Sequence, residues 1–252
     1  MSFLAALRKE IIEQWRTYRL LICVVVLGLF GMTSPLMAKF TPEIIKAVPG
    51  AEIAASLIPT PTIIDAFTQY LKNTQQFGIL LALLITMGAV VQEKERGTAA
   101  IMLVKPLSRG AFLLSKFFSI SLTLMVSLVV AGLGAYYYTL FLFGSTDIGA
   151  WAAMNGLLLV QFMVIIAITL LFSTLVRSQA AAAGLAVGVL LISAIIGAVP
   201  TIAKLLPSQL LNWGGSIMLG KPQTAWPALW VSLGIILACL VGAWVIFDKQ
   251  EL

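Results

Sequence analysis

The 252-residue chain has no histidine, two cysteines and only 10% charged residues. The missing histidine removes His-dependent nucleophilic triads, HExxH metalloproteases and His-ligated haem together. Cys23 and Cys239 lie in separate apolar runs without a CxxC, so neither a disulfide framework nor a zinc site is supported. The P-loop pattern GxxxxGK[ST] is also missing: Gly220-Lys221 is followed by Pro222, so the chain cannot cradle ATP phosphates by itself. The ten acidic residues fall outside the apolar runs or at their ends. That argues against an aspartyl intramembrane protease and a proton-coupled carrier, both of which need carboxylates within the hydrocarbon. A sodium site built from carbonyls and hydroxyls would escape this test.

What the chain has is apolar length. With 60% hydrophobic residues and a mean hydropathy of +1.03, it cannot coat a soluble globule with polar surface, which makes it an integral membrane protein. Six gaps between charges are long enough for the roughly 20 helical residues that cross a hydrocarbon core. They run over 20–38, 73–91, 117–143, 148–176, 178–199 and 228–247. The third and fourth form a tight hairpin around Gly144-Ser145-Thr146-Asp147, and Pro200 stops the fifth. No alternating strands of the barrel type occur, so the expected class is an all-α membrane protein with six transmembrane helices, a single domain over 1–252.

Basic residues set the expected orientation, because loops rich in Lys and Arg resist translocation. With the N-terminus inside, eleven fall on the cytoplasmic side: Arg8, Lys9, Arg16, Arg19, Lys94, Arg96, Lys105, Arg109, Lys116, Arg177 and Lys249. Five fall outside: Lys39, Lys46, Lys72, Lys204 and Lys221. Both termini are thus expected in the cytoplasm, and the net charge of +6 reads as topology rather than nucleic-acid binding. The first run is long enough to be a retained helix rather than a cleaved signal. Before it, Leu4, Leu7, Ile11 and Trp15 share one helical face and Lys9, Glu13 and Arg16 the other. Residues 1–19 therefore read as an amphipathic elbow helix lying in the inner membrane interface.

The densest charge lies between the second and third runs, from Gln92-Glu93-Lys94-Glu95-Arg96-Gly97-Thr98 to Lys105-Pro106-Leu107-Ser108-Arg109. Gly97 breaks the second helix, Thr98 is a suitable N-cap for a short helix, and Pro106 limits that helix by disfavouring helical backbone at Lys105. Ser108 is placed to cap the third run. Ile101, Met102, Leu103 and Val104 are four consecutive apolar residues between charged flanks, and they seek burial against the bilayer or in a groove on a partner.

On these features the chain resembles the permease subunits of type-2 ABC transporters, over nearly its whole length. The resemblance rests on the elbow helix, a large external segment after the first span, the Glu-x-Glu-x-Gly-Thr element at Glu93 to Thr98, and Pro106-Leu107-Ser108-Arg109 followed by Lys116. It implies that residues 92–110 are similar to a coupling loop that docks on a separate nucleotide-binding subunit, with two permeases, here expected as a homodimer, pairing with two such ATPases. ATP and Mg would then be bound by the partner, with no cofactor or catalytic residue in this chain. The coupling positions implied are Glu93, Glu95, Gly97, Thr98, Pro106, Ser108 and Arg109, with Met102 at the centre of the apolar contact.

Other features admit a structural reading as readily as a functional one. Gly184 and Gly188 form a GxxxG face, suited to packing within one subunit, to a dimer axis or to a substrate path. Residues 39–76 and 203–227, broken by prolines and glycines, read as external covers. The leading reading is an ATP-driven exporter subunit in the cell membrane. A secondary transporter or channel without an ATPase and a membrane anchor or assembly factor are the alternatives, and association with a P-loop ATPase separates the first from both.

Overall fold

Each apolar run becomes a helix because lipid offers the backbone no hydrogen-bond partner, so every N–H and C=O must be satisfied within the segment. A computed structural model of the chain describes residues 3–47, 49, 60–95, 108–220 and 223–250. Among these residues six helices are long and apolar enough to cross a membrane, and no strand occurs. The order is α1 (Phe3–Arg16), α2 (Arg19–Lys46), α3 (Ile63–Met87), the short α4 (Val91–Glu95), α5 (Arg109–Phe143), α6 (Ile148–Leu175), α7 (Gln179–Ile196), the single turn α8 (Pro200–Ala203), α9 (Gln209–Met218) and α10 (Trp226–Asp248).

Local chemistry sets the ends. Ser108, Asp147 and Ser178 accept from the backbone N–H of Ala111, Gly149 and Ala181 at the starts of α5, α6 and α7, the N-cap bond expected of these side chains. Gly144, at φ 95°, ends α5 in a backbone region that disfavours a Cβ. Tyr18 takes φ 59° without that relief, and this single left-handed residue turns the chain from α1 into α2.

Two boundaries differ from the sequence reading. The first span does not stop at Ala38, because α2 continues through Pro35 and Pro42 to Lys46. Each proline removes one N–H from the ladder, and neighbouring hydroxyls donate to the carbonyls one turn back: Thr33 to Leu29, Ser34 to Phe30 and Thr41 to Met37. The second span begins ten residues before Asn73, at Ile63, where the Thr62 N–H and hydroxyl both donate to the Asp65 carboxylate at 2.8 Å. Of the 39–76 stretch, residues 39–46 and 63–76 thus belong to α2 and α3. The 203–227 stretch carries α9, whose Leu210, Trp213 and Gly214 are buried.

The core lies where α2, α3, α5 and α6 meet. Gly78 of α3 faces the Phe162 ring so closely that an added Cβ would fall 2.0 Å from Cζ. Gly31 of α2 sits against the backbone of Ala131 in α5, where a Cβ would lie 2.8 Å from the carbonyl oxygen. These contacts let the helices approach at van der Waals distance, the attraction available once water is gone. By contrast α7 buries only Ala182 and Ala186, and most of α10 also faces outward.

Candidate functional site

The side of α1 turned toward the bundle is polar. Ala6, Glu10 and Gln14, spaced by one turn, are buried, whereas Leu4 and Trp15 are 72% and 70% exposed. That reverses the usual amphipathic arrangement of a helix on a soluble core, and suits one whose apolar face meets lipid. The buried polar face then needs partners, because an ionised carboxylate cannot be buried unpaired.

Lys116, in the second turn of α5 and 3% exposed, supplies them. Its Nζ lies 2.8 Å from Glu93 Oε1 and 3.2 and 3.3 Å from the two oxygens of Glu10. Lys9 bridges the same carboxylates from the rim, 3.0 Å from Glu10, 3.1 Å from Glu93 and 3.1 Å from Glu13. Three carboxylates, of Glu10, Glu13 and Glu93, thus bring ligand oxygens within 4.8 Å of one another, with two ammonium groups supplying the positive charge between them. Desolvation of Lys9 opposes its charged form, but the carboxylates of Glu10, Glu93 and Glu13 outweigh it and raise its pKa above the ordinary lysine value. Desolvation of Glu13 is likewise outweighed, chiefly by Lys9, and its pKa is lowered. The cluster joins α1, α4 and α5.

A second set of bonds ties the ends of the 96–107 segment to the rest of this end of the bundle. Before it, the Lys94 ammonium donates to the Thr174 carbonyl of α6 at 2.7 Å and to Gln250 Oε1 at 3.2 Å. After it, the Arg109 guanidinium donates to the carbonyls of Phe247, Asp248 and Gln250. Those groups lie at the C-terminus of α10, where unsatisfied carbonyls favour a cation. The bend between α3 and α4 is held by Ser173 of α6, whose hydroxyl donates to the Met87 carbonyl and accepts from the N–H of Val90 and Val91. Gly88 leaves room there for the side-chain pair Gln92–Gln179, since a Cβ would lie 2.7 Å from Gln92 Nε2.

Of the coupling positions read from the sequence, Glu93 is turned inward into the charge cluster, Arg109 caps α10, Ser108 caps α5, and Glu95 ends α4 exposed. Gly97, Thr98, Met102 and Pro106 lie outside the described residues. Gly184 and Gly188 lie on α7 with no atom within 4 Å of an added Cβ. Glu10, Lys9, Lys94, Ser173 and Gln250 were not singled out as site residues, and Lys116 was noted only as part of a motif. The available signal was a lysine a full turn inside an otherwise apolar helix, which demands a counter-charge.

Residues 4–211 match the model of the ABC-2 family transporter protein. The chain belongs to the ABC-2 transporter family. As an ABC-2 family member it is a membrane permease subunit, and membership implies pairing with an ABC ATPase. A relative 27% identical over 250 residues, 96% of this chain and 95% of the other, is the uncharacterized transmembrane protein YxlG of Bacillus subtilis (strain 168).

Proposed function

We propose that this chain is the membrane half of an ATP-driven exporter, that its α1 end faces the cytoplasm, and that residues 96–107 receive the motion of a separate ATPase subunit. ATP and Mg are bound by that partner. Two permease copies, most simply identical, complete the path across the membrane, with the open face of α7 around Gly184 and Gly188 turned toward the second copy.

The observation that carries this reading is the anchoring of both ends of the 96–107 segment. Glu93 and Lys94 join its leading end to α1, α5 and α6, and Arg109 joins its trailing end to α10. A displacement of the segment is therefore delivered to four helices at once, whereas a boundary loop needs no such connections. Glu95 and the apolar 101–104 stretch are left for the partner, while Glu93 and Arg109 transmit within the chain.

The test is co-purification with a P-loop ABC ATPase subunit, followed by hydrolysis measured with and without the permease. Glu95→Ala and Met102→Asp are expected to leave insertion intact while weakening association, the apolar-to-charged change more severely. Loss of one member of a desolvated interface pair costs about 2–5 kcal/mol, against about 0–1 kcal/mol for an exposed boundary charge. Normal assembly and hydrolysis in both variants would reduce the segment to a boundary marker.

A further inference from the structure

At the end of the bundle opposite α1, two helix faces of matching spacing look at each other across a cleft of about 670 Å³. One wall is the extension of α3, which presents Phe67, Thr68, Leu71, Lys72 and Gln75. The other is α9 with the residues flanking it, which present Ser208, Leu211, Asn212, Ser216 and Leu219. Both walls therefore carry an apolar row beside a polar row, and the rows recur every three to four residues. The walls close where Gly215 meets Leu71: a Cβ there would stand 3.9 Å from Leu71 Cδ1.

Among the described residues the polar row has one formal charge, the Lys72 ammonium, no acidic residue lines the cleft, and no ion pair includes Lys72. The adjoining depression shares Asn212 and Gln223, adds Lys204, and has no carboxylate among its described lining residues. Asn212 is braced by donating to Gln209 Oε1 at 2.9 Å, and Ser216 accepts from the N–H of Gln223 at 3.1 Å, so the α9 wall is held in place before any ligand arrives.

Lys72 lies 15 positions before the end of α3 at Met87, about 22 Å of helix, and the bend and α4 carry the chain on to Glu93, which together approach the hydrocarbon thickness. Glu93 lies in the charge cluster at one membrane boundary, so Lys72 stands at the headgroup level of the other. An apolar row in this position is continuous with the lipid tails, and a polar row with one lysine is level with their headgroups.

We infer that the cleft between the α3 extension and α9 binds an anionic amphiphile, its phosphate or carboxylate on Lys72 and its apolar part against Leu71, Leu211 and Leu219. The site is independent of the ATPase, and its occupant is an anionic membrane lipid.

The full-length chain in a neutral detergent, titrated with dioctanoyl phosphatidylglycerol, dioctanoyl phosphatidylcholine or inorganic phosphate, tests this by native mass spectrometry. The glycerol lipid is expected to bind about tenfold or more tightly than the choline lipid, with no retention of phosphate alone at the same concentration. Lys72→Gln should weaken the anionic lipid by about tenfold, and Gly215→Leu, which fills the floor, should weaken it as well. Lys46→Gln, on the same side but outside the cleft, should change nothing. Equal binding of the two lipids, an unaffected Lys72→Gln variant, or a Lys46→Gln loss as large as that of Lys72→Gln would overturn the proposal. Phosphate bound as tightly as the lipid would also overturn it, since the apolar wall would then have no part in recognition.

Discussion

Lys116 and Lys9 contact the same two carboxylates, Glu10 and Glu93, at similar distances, yet Lys116 is 3% exposed and Lys9 38%. Replacing each by methionine thus compares the same ion pairs at two depths. Removal of one partner from a buried pair costs about 3–5 kcal/mol, because the opposite charge stays behind in a poor solvent. Removal of the rim lysine leaves Lys116 on the same buried carboxylates, and a half-exposed ammonium contributes about 0–1 kcal/mol. The loss should appear as local release of α1, since the cluster is what holds its polar face down. A cysteine at Gln14, which is 4% exposed, reports that release through its labelling by a water-soluble maleimide, with Cys23 and Cys239 replaced by serine. Lys116→Met should accelerate labelling about a hundredfold or more, and Lys9→Met by less than about fivefold. Equal acceleration by the two changes, or less than about fivefold for Lys116→Met, would refute the claim that burial sets the strength of this cluster.

Protection of α1 amides against hydrogen exchange, corrected for the intrinsic rate, should be flat across neutral pH. It should fall as acid titrates Glu13 through its lowered pKa, while the raised pKa of Lys9 keeps its contribution intact below the ordinary lysine range and loses it only at higher pH. Gly31→Ala should lower thermal stability by about 1–3 kcal/mol, because the new Cβ meets the Ala131 backbone, whereas Gly184→Ala meets nothing in the subunit and should disturb only association between copies. Cysteines at Ser145 and Ser108 should be labelled in intact cells from opposite sides, only Ser145 by an impermeant reagent; labelling of Ser108 from outside would reverse the orientation.

The six spans were legible because hydropathy over about 20 residues is a strong signal, and the hairpin at Gly144 to Asp147 was legible because turn and capping residues sit between two long apolar runs. The far end of α2 was not: Thr41, Glu43 and Lys46 read as loop, since polar side chains leave the membrane without saying whether the helix leaves with them. The bend at Gly88 was hidden because the hydroxyl that stabilises it comes from Ser173, 86 positions from Met87 in the sequence. Glu93 was visible as a charge near the membrane boundary, but its direction was not. Its inward turn depends on Lys116, 23 positions away, and that lysine also holds Glu10, 106 positions away. No periodicity within one helix encodes such a meeting.

The bonds from Arg109 to the carbonyls of Phe247, Asp248 and Gln250 set an order of assembly on the ribosome. The donor is synthesised 141 positions before the last of its acceptors, a lag of roughly 7–28 s at ordinary elongation rates. During that interval the guanidinium must be held by water or lipid phosphates at the membrane surface, while the Lys94 ammonium has the Thr174 carbonyl and waits only for Gln250. A chain truncated before Phe247 would keep 21 of the 23 residues of the sixth span and still lack the groups that finish its α1 end, so a ribosome stalled late in the message would leave a subunit with that end incomplete.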